Sequence, residues 1–345
     1  MTGLEGKAEP WESLGHPASF AVLGLGGAGS DALRDLRALG IPSLRAIAVN
    51  TDAAHLEHTP VDRRVLIGRR QFRGRGSGGD RTAVTRALEE SREELLRAVG
   101  DSEVVFLLGA LGGGTGSALL PFLARELRDR GAFPIPIGFL PFEIEIATNP
   151  VRRHAVAEAL RDLEGLGGLT LLLSNEKLRR FGALPVHRAL SVRNVFLHDL
   201  IASLVDMVEN PSQLNVDLAT VRRHLDGAGP ATLIRGEVHV AEAEALLPQA
   251  IRDSLLDFEL GPRTRALLHV EGGSNLTLEA FDRLLRSARR HLADPEELVL
   301  GTRIVPEDRE LVRLTGMVSG IRIGSIRRLL EAGTVREPRA APPAR

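Results

Sequence analysis

Short apolar runs alternate with amphipathic stretches along the first 140 residues of the chain. The amphipathic stretches have helical spacing, most clearly at residues 82–99, where an apolar stripe is backed by a charged face. Residues 30–39, closed by Gly40, and residues 118–130 also favour helices. The apolar runs are typical of buried strands and lie at residues 20–26, 44–52, 63–68, 103–110 and 132–142. Strands that alternate with helices pair in parallel, so the pattern predicts a doubly wound α/β sheet.

The second half of the chain has a different pattern. Apolar positions at helical spacing over residues 190–209 predict a long helix that Pro211 ends. Beyond residue 221, strand-like runs alternate with two helical stretches, at residues 239–256 and 277–291, which is typical of an α+β domain. We therefore expect a flexible leader at residues 1–18, an α/β domain at 19–185, a central helix at 186–210, a smaller α+β C-terminal domain at 211–330 and a disordered tail at 331–345.

Composition narrows the function classes. The chain has 345 residues, of which 43% are hydrophobic and 26% charged, and its net charge is −1, so it is expected to be a soluble globular protein without a nucleic-acid partner. No apolar run approaches the roughly 20 residues that span a bilayer, so direct membrane insertion is not expected. Cysteine is absent, which excludes disulfides and thiolate chemistry and fits a cytoplasmic location.

Four polar or glycine-rich loops follow predicted strands. They lie at residues 24–31, 50–53, 73–80 and 112–117. In a doubly wound sheet, ligands bind beyond the carboxyl ends of the strands, where these loops meet. The first loop matches GxGxxG, which alone is a weak dinucleotide signal and can also be a tight turn. The second is equally explained by a polar turn, and the third by a mobile surface loop.

The fourth loop carries the strongest signal for phosphate binding. Its residues are Gly112, Gly113, Gly114, Thr115, Gly116 and Ser117. Glycines let backbone N–H groups turn towards an anion, and the following helix adds the positive end of its dipole. A P-loop would need a lysine beside the Ser/Thr, but the chain has only Lys7 and Lys177. Several glycine loops without lysine favour a triphosphate bound mainly by backbone N–H groups.

These loops resemble the nucleotide-binding segments of the FtsZ/tubulin superfamily, in the same order and at similar spacing. The segments are VLGLGGAGSDAL, AVNTDA, RGRGSGGD and GALGGGTGSA. Further segments, NPSQLNVDLATVRRHL, EGGSNLTLEAFDRLLR and LVLGTRIVPE, resemble the second half of FtsZ. The resemblance covers about residues 19–325 and is closest to FtsZ. It implies a doubly wound parallel-sheet GTP-binding domain, a long central helix and a smaller α+β C-terminal domain.

The resemblance also implies a site for GTP or GDP, with Mg²⁺ as the accompanying cation and no metal ligand set of the protein's own. The fourth loop would cradle the phosphates, with Gly26, Gly27, Gly76 and Gly78 beside it. Asn50 and Asp52 would lie near the phosphates and the water shell of the metal, and Asn175 near the ribose or base. Glu145 matches the family glutamate, but residues 146–150 separate it from the arginines, which leaves Arg152 and Arg153 as alternatives for the nucleotide contact.

Two positions near the base depart from the FtsZ pattern. Asn194 stands where FtsZ commonly has an aspartate that reads guanine and where tubulin has asparagine. Asp31 replaces the usual asparagine after the first glycine loop. An amide both donates and accepts hydrogen bonds, whereas a carboxylate only accepts. We hypothesise that the roles are exchanged and that Asp31 supplies part of the guanine recognition.

The loop after the central helix is one carboxylate short of the family pattern. In FtsZ this loop reads N-x-D-x-x-D and completes the active site of the neighbouring subunit. The matching residues here are Asn215, Asp217 and Thr220. A hydroxyl can position water but cannot act as a base, so we predict slow hydrolysis and long-lived polymers. Alternatively, Asp217 and Thr220 belong to the N-cap region of a helix, a role that suits threonine.

The resemblance implies self-association into a head-to-tail filament, with a role in cell division or cell shape. The last fifteen residues show no apolar docking peptide of the kind that links FtsZ to the divisome. Two alternatives remain at this stage. One is a non-hydrolysing nucleotide-binding regulator or structural filament of the same fold. The other is a NAD-dependent oxidoreductase built on GxGxxG, which the additional glycine loops oppose.

Overall fold

The computed structural model describes residues 18–34, 36, 40–210 and 216–332, with the backbone alone at residues 331 and 332. Residues 1–17 of the predicted leader, Asn215 and residues 333–345 of the predicted tail lie outside the described residues. Among the residues that the structure describes, no helix has the length and apolar character needed to cross a membrane.

One ten-stranded sheet runs through the described chain. Its order is β3-β2-β1-β4-β5-β6-β7-β10-β8-β9. All neighbours pair in parallel except β10, which is antiparallel to both β7 and β8. The strands are β1 (Phe20–Leu25), β2 (Leu44–Asn50), β3 (Arg63–Leu66), β4 (Val104–Ala110), β5 (Phe133–Leu140), β6 (Thr170–Ser174), β7 (Pro230–His239), β8 (Arg265–Gly272), β9 (Glu297–Ile304) and β10 (Leu311–Ser319). Nine strands therefore end at the same edge of the sheet.

Helices cover both faces of this sheet. They are α1 (Gly26–Leu33), α2 (Ala53–Glu57), α3 (Arg69–Phe72), α4 (Arg81–Val99), α5 (Gly114–Asp129), α6 (Glu143–Thr148), α7 (Pro150–Gly165), α8 (Val186–Glu209), α9 (Leu218–Leu225), α10 (Leu246–Arg252), α11 (Leu278–His291) and α12 (Gly324–Ala332). Alternate residues of β1 belong to different cores, Leu23 on the α4 and α5 side and Val22 on the α8 side. The predicted mixed fold, doubly wound in its first half, is confirmed.

The two predicted domains share one sheet. Strands β6 and β7 join them through only two paired positions, Thr170 with Pro230 and Leu171 with Ala231. The central helix α8 packs along this joint, and its Leu197, Leu200 and Ile201 are buried in the core that β5 and β7 share. The short joint explains why hydrophobic patterning alone suggests two separate sheets.

Three helices begin earlier than the apolar pattern predicts. Helix α1 begins at Gly26 rather than at residue 30, and α5 at Gly114 rather than at 118. Helix α8 begins at Val186, four residues before its apolar stripe and at the boundary expected for the central helix. In α1 and α5 the first turn is built from glycines, which lower helix propensity but permit close packing. The end predicted for the first helix falls on residues 35 and 37–39, outside the described part of the chain.

The hydrophobic pattern does not predict α2, α3, α6, α7 or α12. For α7 the sequence does carry the usual start signal, because Pro150 occupies the first helical position and Asn149 is the N-cap. The Asn149 Oδ1 accepts a hydrogen bond from the Arg152 backbone N–H at 3.0 Å. This cap fixes the start of α7 and therefore the position of Arg152 in its first turn.

We expect the substitution Gly29→Ala to destabilise the protein. A Cβ at this position would collide with the Leu108 carbonyl oxygen and lie 3.0 Å from the Gly24 carbonyl carbon. Both neighbours are backbone of the central strands, so α1 would have to move, at a cost of about 1–3 kcal/mol. Gly165→Ala is the control, because nothing lies within 4 Å of a Cβ there. Thermal unfolding should show a lower Tm for Gly29→Ala alone, and equal Tm values would contradict the close approach.

Candidate functional site

A cleft of about 840 Å³ opens at the carboxyl ends of β1, β4 and β5, beside the start of α8. It brings together eleven of the predicted nucleotide-binding residues. These are Gly26, Gly27, Asp31, Gly113, Gly114, Thr115, Gly116, Glu145, Arg152, Asn175 and Asn194. The remaining predicted residues of the described chain, Asn50, Asp52, Gly76, Gly78, Gly112 and Ser117, do not line this cleft.

The glycine cluster forms the floor of the cleft at the N-terminus of α5. The Gly112 backbone N–H donates to the Ser117 Oγ at 2.7 Å, which closes the loop on itself. A Cβ on Gly114 would collide with the Ser77 hydroxyl and lie 2.9 Å from the Gly79 carbonyl carbon, so the third glycine loop packs directly against the cluster. Gly112 and Ser117 thus stabilise the loop without lining the cleft. The first residues of α5 line it, and their backbone N–H groups, which have no partner within the helix, are suited to bind an anion.

The segment 50–52 supports the cluster rather than lining the cleft. The Asn50 Oδ1 accepts from the backbone N–H groups of Thr51 and Asp52, at 2.8 and 3.3 Å. The Asp52 Oδ1 caps α2 by accepting from the His55 N–H at 3.1 Å. The Thr51 hydroxyl is 3.2 Å from that of Thr115, which ties the turn to the floor of the cleft. The contacts of Asn50 and Asp52 are therefore those of a polar turn, the alternative that the sequence offers for this loop.

An acidic residue and a basic residue face the cleft from α6 and the start of α7. The Arg152 guanidinium forms an ion pair with the Glu145 carboxylate. The second oxygen of Glu145 accepts from the Phe142 N–H at 3.0 Å, which holds the carboxylate in place. Of the two arginines left open by the sequence, Arg152 lines this cleft, whereas Arg153 lines a separate one beside α12.

The far end of the cleft contains an arginine that sequence reasoning missed. Arg193 is only 4% exposed, and its guanidinium carbon lies 4.0 Å from the centre of the Phe139 ring. Its two terminal nitrogens donate to the side-chain oxygens of Asn175 and Asn194, at 3.0 and 3.4 Å. A signal was present, since Arg193 lies four residues before Leu197 and therefore on the same helical face as the apolar stripe of α8.

Burial lowers the pKa of Arg193 to about 10, an effect that the negative charge of Asp31 partly opposes. Arg193 therefore remains protonated at neutral pH. Asp31 lies at the mouth of the cleft, where its carboxylate pairs with Arg34 at 3.1 Å and approaches the His55 Nε2 at 3.4 Å. This end of the cleft combines a buried cation, two amides and a partly exposed carboxylate.

Asp217 and Thr220 lie at the opposite edge of the sheet. Helix α9 is held there by Arg222, which donates to the carbonyl of Glu103 just before β4, and by Arg265 at the start of β8, which donates to the carbonyl of His224. Asp217 is the N-cap of α9, and its Oδ1 accepts from the Thr220 N–H at 2.6 Å. Asp217, and not Thr220, is therefore the N-cap residue of α9. The hydrogen bond lowers the pKa of Asp217.

Comparison with known proteins identifies the family to which the chain belongs. The model of the Tubulin/FtsZ family GTPase domain matches residues 19–183, and that of the FtsZ family C-terminal domain matches residues 229–322. Cell division protein FtsZ 1 of Methanocaldococcus jannaschii is 32% identical over 88% of this chain and 83% of its own length.

Solved structures show the same fold. An empty FtsZ dimer from M. jannaschii aligns with a TM-score of 0.77 at 30% identity, over 90% of each chain. A GTPγS-bound protofilament of CetZ2 from Haloferax volcanii aligns with a TM-score of 0.77 at 21% identity, over 91% of this chain and 97% of that one. The chain therefore belongs to the FtsZ/tubulin superfamily of GTPases, as a divergent FtsZ-like member.

Proposed function

We propose that this protein binds GTP in the cleft, assembles head to tail with copies of itself, and hydrolyses GTP slowly with help from residues 210–220 of the adjacent subunit. The observation that carries the proposal is the position of Asp217 relative to the cleft. The cleft lies at the carboxyl end of β4, and α9 contacts the residue just before the amino end of β4. The acid and the phosphate cradle thus occupy opposite edges of one sheet.

This separation is too large for Asp217 to act on its own nucleotide. Strand β4 contains seven residues, so at about 3.3 Å per residue its ends are roughly 20 Å apart. A catalytic group must lie within hydrogen-bonding reach of the water that it orients. Asp217 can therefore serve only the cleft of another subunit. Stacking the carboxyl edge of one sheet on the amino edge of the next is a heterologous contact, which generates open filaments.

The surface around the cleft supports such a contact. Three large apolar side chains are exposed on elements that line the cleft: Ile144 on α6 is 60% exposed, Val151 on α7 67% and Val186 on α8 71%. Apolar side chains gathered around a polar cleft are typical of a protein interface. The FtsZ dimer from M. jannaschii, with 30% identity, is consistent with self-association of this chain.

Guanine recognition by Asp31 extends the proposal to the choice of base. Guanine presents two donors, N1–H and the 2-amino group, from which a carboxylate can accept hydrogen bonds. Asp31 lines the cleft with a charged carboxylate, whereas Asn194 presents a neutral amide whose oxygen already accepts one hydrogen bond from Arg193. This division of contacts favours Asp31 as the acceptor for the base.

The accompanying Mg²⁺ would be held mainly by the nucleotide. Among the described residues, no group of three acidic, histidine or cysteine side chains is arranged to bind a metal ion. Mg²⁺ is commonly bound through phosphates and water with one or two carboxylates. Asp52 is the candidate that the family resemblance implies, since its Oδ1 caps α2 and its Oδ2 remains for a water of the metal shell.

A second candidate is a filament of the same fold that scarcely hydrolyses GTP. The observation that favours it is Thr220, whose hydroxyl cannot replace a carboxylate, together with the lowered pKa of Asp217, which makes that acid a weak base. Both candidates bind GTP and assemble. They differ only in turnover, and either is compatible with a role in cell division or cell shape.

Thr220→Asp should increase phosphate release during assembly. It restores the second carboxylate of the family pattern, and losing one catalytic group commonly reduces the rate about 10²–10⁴-fold. An aspartate in the first turn of α9 also suits the helix dipole, so stability should be maintained. Asp217→Asn is the matched loss variant, because asparagine keeps the N-cap and removes the charge. Wild-type turnover at the rate of the Thr220→Asp variant would contradict the prediction.

Mixing two inactive variants should restore hydrolysis if the site forms between subunits. Asp217→Asn leaves the cleft intact, and Gly114→Ala blocks the cradle by collision with Ser77 while leaving α9 intact. The mixture should release phosphate at interfaces where the cleft of an Asp217→Asn subunit meets the intact loop of a Gly114→Ala subunit. Each variant alone, measured at the same total concentration, is the control. Activity in Asp217→Asn filaments equal to that of the wild type would exclude catalysis by the neighbouring subunit.

Asp31→Ala should lower GTP affinity and reduce the preference for GTP over ATP. A hydrogen bond to a charged group contributes about 1.5–3 kcal/mol, which corresponds to roughly 10- to 150-fold in affinity. Glu57→Ala is the control, since Glu57 is an exposed acid on the neighbouring α2 outside the cleft. Equilibrium binding of both nucleotides tests the hypothesis, which fails if the preference is unchanged.

A further inference from the structure

We propose that Arg193 sets the base preference of the cleft, because it holds the side-chain oxygens of Asn175 and Asn194 and thereby commits both amides to donating towards a purine with a carbonyl at C6. This inference rests on the proposed binding of a nucleotide in the cleft. It adds a positioning residue that the glycine loops do not reveal and that acts through its two neighbours.

The chemistry of Arg193 dictates the orientation of both amides. A guanidinium carries five donors and no acceptor, so an asparagine beside it must present its oxygen. The distances of 3.0 Å to the Asn175 Oδ1 and 3.4 Å to the Asn194 Oδ1 agree with this. The NH₂ end of each amide is then the free end. No hydrogen bond from either Nδ2 to the rest of the described chain is present, and both residues line the cleft.

Arg193 itself is held rigidly. Its guanidinium stacks on Phe139 at 4.0 Å, and the side chain is buried among the apolar residues of α8 and β5. Burying a charge without a direct carboxylate partner is unfavourable, and the Arg193 Nε has no hydrogen-bond partner among the described atoms. A buried cation with an unused donor favours an electron-rich ligand.

The resulting pocket matches one class of base. Two amide NH₂ groups donate into the cleft, and the Asp31 carboxylate at its mouth accepts. A 6-oxopurine such as guanine or hypoxanthine offers acceptors at O6 and N7 and a donor at N1. Adenine carries an amino group at C6, which would meet the amide donors and leave buried donors unpaired. The two amides, held in this orientation by Arg193, therefore read the C6 carbonyl, while Asp31 reads N1 and the 2-amino group.

Four nucleotides separate these contacts in a binding experiment. GTP has both the C6 carbonyl and the 2-amino group, ITP only the carbonyl, 2-aminopurine riboside triphosphate only the amino group, and ATP neither. Arg193→Leu removes the donors but suits the apolar stripe, so that both amides can rotate. We expect this variant to lose about 10- to 100-fold in affinity for GTP and ITP, by the energy of one or two hydrogen bonds, with little change for the other two nucleotides.

Controls distinguish this role from a structural one. Arg188→Leu, an exposed arginine on the same helix and outside the cleft, should leave all four affinities unchanged. Arg193→Lys keeps the charge but lacks the planar fork, and it should retain only part of the preference. Equal losses of affinity for all four nucleotides, or an unchanged preference in a variant with normal thermal unfolding, would overturn the proposal. Failure of the wild type to bind any guanine nucleotide would instead overturn the proposed function.

Discussion

The backbones of α1 and α5 lie so close to the central strands that no side chain fits between them. A Cβ on Gly24 would lie 2.5 Å from the Gly29 carbonyl oxygen, and one on Gly116 would lie 2.5 Å from that of Ala110. This contact fixes the first turns of both helices against β1 and β4. Their unpaired N–H groups consequently meet in one cleft, where two helix dipoles add at a point that can accept a polyphosphate. Phosphate binding without lysine depends on this backbone packing.

The parallel sheet gives the molecule its polarity. Because nine of the ten strands of the described chain run the same way, loops after strands and loops before strands are separated by the height of the sheet. The nucleotide cleft occupies one edge and the N-cap of α9 the other. The short β6–β7 joint and helix α8 hold the two halves in one body, so that the cleft and the N-cap of α9 keep a constant spacing. In the proposed filament, a single subunit then carries half of two sites.

Much of this arrangement could be predicted from sequence, and the exceptions have physical causes. Glycine clusters and apolar strands are local signals, so the fold class and the floor of the cleft follow from them. The starts of α1 and α5 do not follow from local signals, because Gly26 and Gly114 have low helix propensity and become helical through contact with the strands. The choice between Arg152 and Arg153 depends on where the Asn149 cap starts α7. Arg193 is visible only as a charge on an apolar stripe, and its partner Asn175 is distant in sequence.

The missing carboxylate at position 220 is not required by the fold of α9. Asp217 already caps the helix, and the Thr220 backbone N–H, which any residue other than proline supplies, is the partner that it needs. The Thr220 side chain lies in the first helical turn, where an acidic residue would be more favourable to the dipole than a hydroxyl. Helix stability therefore favours the family aspartate at this position over threonine. In the filament proposed above, the departure from the family pattern changes the charge that α9 presents to the neighbouring cleft, and we expect its consequence in turnover rather than in folding or assembly.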